Sequence, residues 1–455
     1  MKTLRTWVGL TLFSVFCLAC TSSIILGQSS NPRGPALPFP ESGASTAETL
    51  SKTRIQPSIL SATAASCITD GADWLLTQQV GGGGFPWTVG GGVFTNTQGP
   101  TAQGMLKAYQ VTGDVTYLNS AKDNGDYMVP VYPLTYTDGD PRFSTHNPLF
   151  LQNLSSASGM SIYSDFVQTW FWDKLSSGTY GETNDWDAAD FGAAVVNGRT
   201  SQGIVALSPW DLSATAIAAH LAGETTSRDA LMAAILDGLE ATTAGDFYDV
   251  IGLTGAVWAS AVTGVDLDPT AGAYASASST TDLAAILSGM TLTADNGAFL
   301  WGSNADPTDF SNGDVQTTAY ALMALYAFDA STYRSQINNG RAFIKSLQSS
   351  GQFLAYSGAS SGSSGGVEVH GEALAALVMS APFFAAGEQV QALIDDPNTP
   401  SDAIEALEEA LDALEEAQAA ADNGDTEELF GAMRDAADAL EEAREEMDCT
   451  DAIAS

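Results

Sequence analysis

The chain has 455 residues and a formal charge of −38, although charged residues make up only 15% of it. With just 16 Lys and Arg, it lacks the clustered cations that nucleic-acid binding requires. Cations, neutral compounds and metal-bridged compounds remain as partners, and the length suits two or three average domains or one large all-helical one.

Lys2 and Arg5 precede an apolar run from Trp7 to Ala19, the pattern of an export signal. The run is shorter than the roughly 20 residues a membrane span needs. Cys17-Leu18-Ala19-Cys20 resembles a bacterial lipoprotein box, with Cys17 where such boxes carry Leu. Residues 1–27 therefore read as a signal peptide or lipoprotein signal, with cleavage after Gly27 or lipid attachment at Cys20 as the two outcomes. The lipid would be the only link to a membrane, so the expected address is secreted, periplasmic or anchored to the cell envelope. Residues 28–60, rich in Ser, Pro, Gly and Thr, read as a flexible linker. Once Cys17 leaves with the signal, Cys67 and Cys449 either pair in an oxidising compartment or stay as thiols.

Residues 61–384 show helical periodicity and almost no strand alternation. Helices are expected at Ala65–Gln79, Thr101–Val111, Tyr117–Met128, Pro148–Ser155 and Ile162–Leu175. Further ones follow at Ser213–Leu221, Arg228–Thr242, Leu253–Thr263, Thr281–Ser288, Val315–Phe328, Ile337–Gln348 and Glu372–Met379. Gly81 to Gly84 stop the first helix, and two segments rich in aromatic and charged residues, 130–147 and 180–190, interrupt the series. Residues 385–455 change character. Ile404, Leu407, Leu411 and Leu414 mark one helical seam, Leu429, Met433, Leu440 and Met447 a second, and 22 acidic residues against two arginines fall between Gly387 and Ser455. This reads as an acidic helical hairpin.

Asp314-Val-Gln-Thr-Thr-Ala-Tyr-Ala-Leu-Met-Ala-Leu325 is a polar turn feeding a small-residue apolar helix, and similar units open at Gly99, Pro209, Tyr248 and Gly366. These units resemble the repeats of the α/α-toroid superfamily, which includes terpenoid cyclases, protein prenyltransferases and toroidal pectate lyases. Gly83-Gly-Phe-Pro-Trp87 is similar to the Gly-Gly-Trp-Pro element of the lyases. The resemblance covers roughly Ile68 to Met379 and implies an all-α fold, an (α/α) toroid of repeated helical hairpins. The cyclase acid motif is absent: Asp185-Trp-Asp-Ala-Ala-Asp190 does not match it. The toroid region also holds no cysteine after Cys67, so the prenyltransferase zinc site has no counterpart.

In a toroid the inner helices open onto one mouth, which makes the residues of those turns the site candidates. Asp314 and His370 are candidate catalytic residues there, with Gln103, Asp211, Gln316 and Glu368 as substrate contacts and Trp87 and Trp301 as stacking surfaces for sugar rings. Asp211 and Asp314 are equally suited to capping helices. His370, between Glu368 and Glu372, is expected to have a raised pKa suited to proton transfer. The loop Asp138 to His146 supplies two carboxylates, Arg142 and His146. Calcium on Asp138 and Asp140, with Arg142 or His146 near the base, would suit elimination from a uronate. Asp185, Asp187 and Asp190 form a second calcium candidate. The expected function is an exported toroid acting on acidic polysaccharide as a lyase or hydrolase. The alternative is a non-catalytic, cyclase-like repeat domain that binds or scaffolds at the cell surface.

Overall fold

The structure, a computed structural model, describes residues 67–135, 145–181, 184–293, 297–330, 332–360, 362–380 and most of 387–454. The export signal, the linker, Cys17, Cys20, Asp138, Asp140 and Arg142 lie outside the described residues, as does the side chain of Cys449 and hence its pairing with Cys67. The described chain is mostly helical and divides into two compact units, with the boundary after Ala381. Among the described residues no helix is long and apolar enough to cross a membrane.

In the larger unit, α1 (Cys67–Gln78) is followed by α2 (Gln98–Thr112), α3 (Val115–Thr135), α4 (Asn147–Ser158), α5 (Ser161–Val167) and α6 (Asp173–Ser177). Then come α7 (Ala188–Ser201), α8 (Ser208–Ala222), α9 (Thr225–Ala241), α10 (Asp249–Thr263) and α11 (Thr280–Ser288). The series ends with α12 (Val315–Asp329), α13 (Arg334–Ser346), a two-residue antiparallel pair β1 (Gln348–Ser349) and β2 (Gln352–Phe353), and α14 (Gly366–Met379). Helix α7 was not among the expected ones.

Six of these helices touch in a closed order: α2 packs on α4, α4 on α8, α8 on α10, α10 on α12, α12 on α14, and α14 returns to α2. Four others lie against consecutive pairs of this series: α3 against α2 and α4, α9 against α8 and α10, α11 against α10 and α12, and α1 against α14 and α2. The sequence accounts for the difference between the two sets. Every residue of α14 from Gly366 to Val378 is buried, as is α10 from Asp249 to Ser260, and most of their residues are apolar or small, as enclosed helices require. Helix α13, by contrast, buries Ile337, Gly340, Arg341, Phe343 and Ile344 on one stripe.

Small residues set the spacing. A Cβ on Gly371 would stand 2.5 Å from the Thr101 carbonyl oxygen, and one on Gly104 would stand 2.5 Å from that of Gly371. The α2–α14 contact therefore requires glycine on both sides.

The second unit, taken by itself, is a hairpin of α15 (Ser401–Asn423) and α16 (Thr426–Ala454). Leu407 and Leu414 meet Leu429 and Met433 in a seam filled by alanines such as Ala410, Ala417 and Ala436. Val390 and Leu393 close it.

Candidate functional site

The first turns of the enclosed helices bring an acidic cluster together. Glu368 is the third residue of α14 and Glu372 lies one turn further in, so helical geometry puts both on one face. Glu368 Oε2 accepts a hydrogen bond from Trp87 Nε1 at 2.9 Å. Glu372 Oε2 accepts from Gln316 Nε2 at 2.8 Å, and its Oε1 lies 2.9 Å from the Tyr320 hydroxyl of α12. Asp211 of α8 pairs in two-pronged fashion with Arg199 of α7, Nε to Oδ2 at 2.5 Å and Nη2 to Oδ1 at 2.8 Å.

Burial and mutual repulsion move these groups. Burial pushes Glu368 up to about 7; the Trp87 N–H and the Arg199 charge oppose the shift, and the Asp211 charge reinforces it. Burial first, then the neighbouring Glu368, raises Glu372 well above the usual carboxylate range. Tyr320 is raised as well, by burial and by Glu372, and keeps its proton. Asp314 is raised by burial, against two hydrogen bonds from Thr317.

Beneath Glu372 lies a cavity with about 40 Å³ of room for the centres of water-sized molecules. All six helices of the closed series line it, with Gln103, His146, Asn153, Tyr320 and Glu372 as its polar groups and Trp258 on its wall. The Trp210 ring lies tilted against His146 at 4.5 Å and meets Tyr320 edge-on at 5.4 Å. The buried Trp210 N–H bears on the Tyr320 hydroxyl without completing a hydrogen bond.

The segments that lead into these helices carry exposed aromatics: Trp87 and Phe94 before α2, Phe247 before α10, and Tyr356 before α14. Trp301 stacks near Phe247 at 5.3 Å and donates to Asn312 Oδ1 at 3.1 Å.

The sequence candidates therefore separate. Trp87, Gln316, Asp211 and Glu368 join the cluster, with Asp314 close enough to act on Glu372. Gln103 and His146 line the cavity. Asp314 is also the α12 cap, accepting from Thr317 N at 2.7 Å, whereas Asp211 lies inside α8, which Leu207 caps, and is an ion-pair partner.

His370 corrects an expectation. Its Nδ1 accepts from Phe353 N at 2.9 Å, its Nε2 donates to the Gly71 carbonyl at 2.8 Å, and its ring lies 4.5 Å from Trp74. Burial lowers its pKa to about 4, the opposite of the raised value expected from flanking glutamates. His146, its Nε2 3.2 Å from the Trp210 carbonyl, is lowered to about 4 for the same reason.

Asp187 caps α7, accepting from Ala189 N and Asp190 N, and Asp190 completes the capping box. Asp185 is exposed beside them. Among the described residues no group of three or more His, Cys, Asp or Glu is arranged to hold a metal.

Sequence reasoning missed Arg199, Tyr320 and Trp210 as members of the site. The Asp211 partner sits on the unexpected α7, Tyr320 lies within the apolar run of α12, and Trp210 lies in the first turn of α8.

No family model matches the chain, and no curated protein is similar to it. Among solved structures it is similar to the Lin0763 protein from Listeria innocua, at 16% identity over 63% of this chain and 85% of that one, with a TM-score of 0.39. A likeness that weak carries no argument, so the functional reading rests on the cluster at Glu368 and Glu372.

Proposed function

We propose that the chain is an exported α/α-toroid protein that acts on carbohydrate at the acidic mouth of its enclosed helices, as a hydrolase of neutral glycan. The toroid reading rests on the closed contact order from α2 through α4, α8, α10, α12 and α14 back to α2. Glu368 carries the functional reading. It is a buried carboxyl group moved to about 7, with a second acid, Asp211, near enough to contribute to the shift, and with exposed aromatics in the segments leading into the same helices. Glycoside hydrolysis uses two such groups. Glu368 would protonate the leaving oxygen, and Asp211, fixed by Arg199, would supply the second carboxylate. Trp87, whose N–H orients Glu368, offers the stacking face.

The charge of the site favours a neutral substrate over an acidic one. The Arg199 guanidinium is already paired with Asp211, and the other acids of the cluster, Asp314, Glu368 and Glu372, offer a uronate no compensating charge. A second reading, a glycan-binding scaffold without turnover, is favoured by the small cavity and by the near-complete burial of Glu372.

Release of reducing ends from neutral and acidic oligosaccharides separates these readings. Wild type should act on a neutral glycan, and Glu368→Gln should lose about 10²- to 10⁴-fold of that rate while staying folded. An unchanged rate in the variant contradicts the assignment. Binding without release points to the scaffold, and calcium-dependent growth of ultraviolet absorbance on pectate would restore the lyase.

A further inference from the structure

Glu368 and Glu372 sit one helical turn apart in the same buried cluster, yet their surroundings differ in kind. Glu368 is the more exposed, at 9% against 2%. Its partners favour the anion: the Trp87 indole N–H can only donate, and the Arg199 charge acts on it across Asp211. Glu372 lies deeper. Gln316 donates to one of its oxygens, but its other neighbour, the Tyr320 hydroxyl, can accept as well as donate. A protonated Glu372 thus keeps both neighbours, accepting from Gln316 and donating to the Tyr320 oxygen in a bond of reversed direction.

We infer that the pair divides its protons unequally: Glu372 is a positioning residue that keeps its proton, and Glu368 is the member that gives one up.

The other charged groups packed around the pair fit this division. Asp211 and Arg199 bear on Glu368 from the α7–α8 side, and Asp314 bears on Glu372 from the start of α12. Helix α2 contributes only Lys107, bonded to Gln110, and neutral His146 borders the cavity below. Helix α1 brings Asp73, bonded to Tyr117, and Asp70, one residue from the Gly71 that meets His370 on the opposite face of α14. Two ionised carboxylates one turn apart in so enclosed a site would repel strongly, so ionising Glu368 itself holds the proton on Glu372. In the hydrolase reading, on which this inference rests for its meaning, Glu372 leaves Glu368 as the one group that cycles its proton, and Tyr320 fixes the geometry.

The test is a carbon-13 NMR titration of the full-length protein labelled at the glutamate carboxyls, assigned with Glu368→Gln and Glu372→Gln. Wild type should show one buried carboxyl titrating near neutral pH and another that stays protonated into the alkaline range. Glu372→Gln should erase the persistent signal and leave the neutral transition where it was, and Glu368→Gln should erase the neutral transition. The reverse pattern, or two glutamates both ionised at neutral pH, overturns the inference. The titration needs no substrate, so a chain inactive on every glycan would sink the hydrolase reading and still leave this result readable. Where turnover is measured, the alkaline limb of the pH–rate profile should keep its midpoint in Glu372→Gln, which a merely structural role for Glu372 does not require.

Discussion

The two faces of α14 are buried to a similar depth and behave in opposite ways. On one face, His370 has both ring nitrogens bonded to backbone groups and an aromatic neighbour on each side, Trp74 and Phe353. On the other, Glu368 faces Asp211, and Glu372 faces Glu368 and Asp314. Burial alone shifts both kinds of group, so a shifted pKa does not mark a site. What separates the faces is whether the neighbours satisfy the group in its neutral form or leave its proton contested.

The largest expected effect comes from breaking the ion pair beside the acidic face. Arg199→Leu would take the guanidinium away from the buried Asp211 and should destabilise the chain by about 3–5 kcal/mol in denaturant unfolding. A loss of a few tenths would mean that the pair is effectively solvated. His370→Leu is the matching break on the other face. It orphans the Phe353 N–H and the Gly71 carbonyl and should cost about 2–5 kcal/mol, with no change in the titration of Glu368.

The faces should also respond to pH with opposite signs. His370 has its folded pKa lowered to about 4 from an ordinary 6.5. Its contribution is complete above 6.5 and is lost as pH falls toward 4, by roughly 3 kcal/mol at most. Glu368 has its folded pKa raised to about 7 from 4.5, so its contribution is complete below 4.5 and is lost as pH rises through 7. Glu368→Gln should therefore gain stability relative to wild type between pH 4.5 and 7, whereas the deficit of His370→Leu should shrink as pH falls from 6.5 to 4. Parallel curves for the two variants would remove the contrast. The smallest effect belongs to Asp314, which as a cap should cost about 1 kcal/mol on substitution by Ala, read as a small shift in the unfolding midpoint.

Much of the helical framework was legible because Gly and Pro punctuate it and the apolar residues recur at helical spacing. Helix α7 escaped because Gly192, Gly198, Val195 and Val196 dilute the helical signal of its sequence, and Arg199 was hidden with it. The phase of α14 was the other loss. Starting that helix at Glu372 leaves His370 in a turn among acids. Starting it at Gly366, as the capping Gly365 at φ 72° dictates, rotates His370 about 200° away from Glu368. The mouth residues Trp87, Asp211, Gln316 and Glu368 were within reach because each opens or precedes a repeat unit, and sequence can locate a turn. Which acids meet across helices depends on packing, and no local pattern encodes it.

The mouth with the contested proton is proposed as a carbohydrate site. Calorimetric titration of the full chain with neutral oligosaccharides, in wild type and in Trp87→Ala, tests it without assuming turnover. Wild type should bind saturably, and removal of the Trp87 ring should weaken that binding at least about tenfold, roughly 1.4 kcal/mol. No binding to any neutral glycan, or equal affinity in the two proteins, would contradict it.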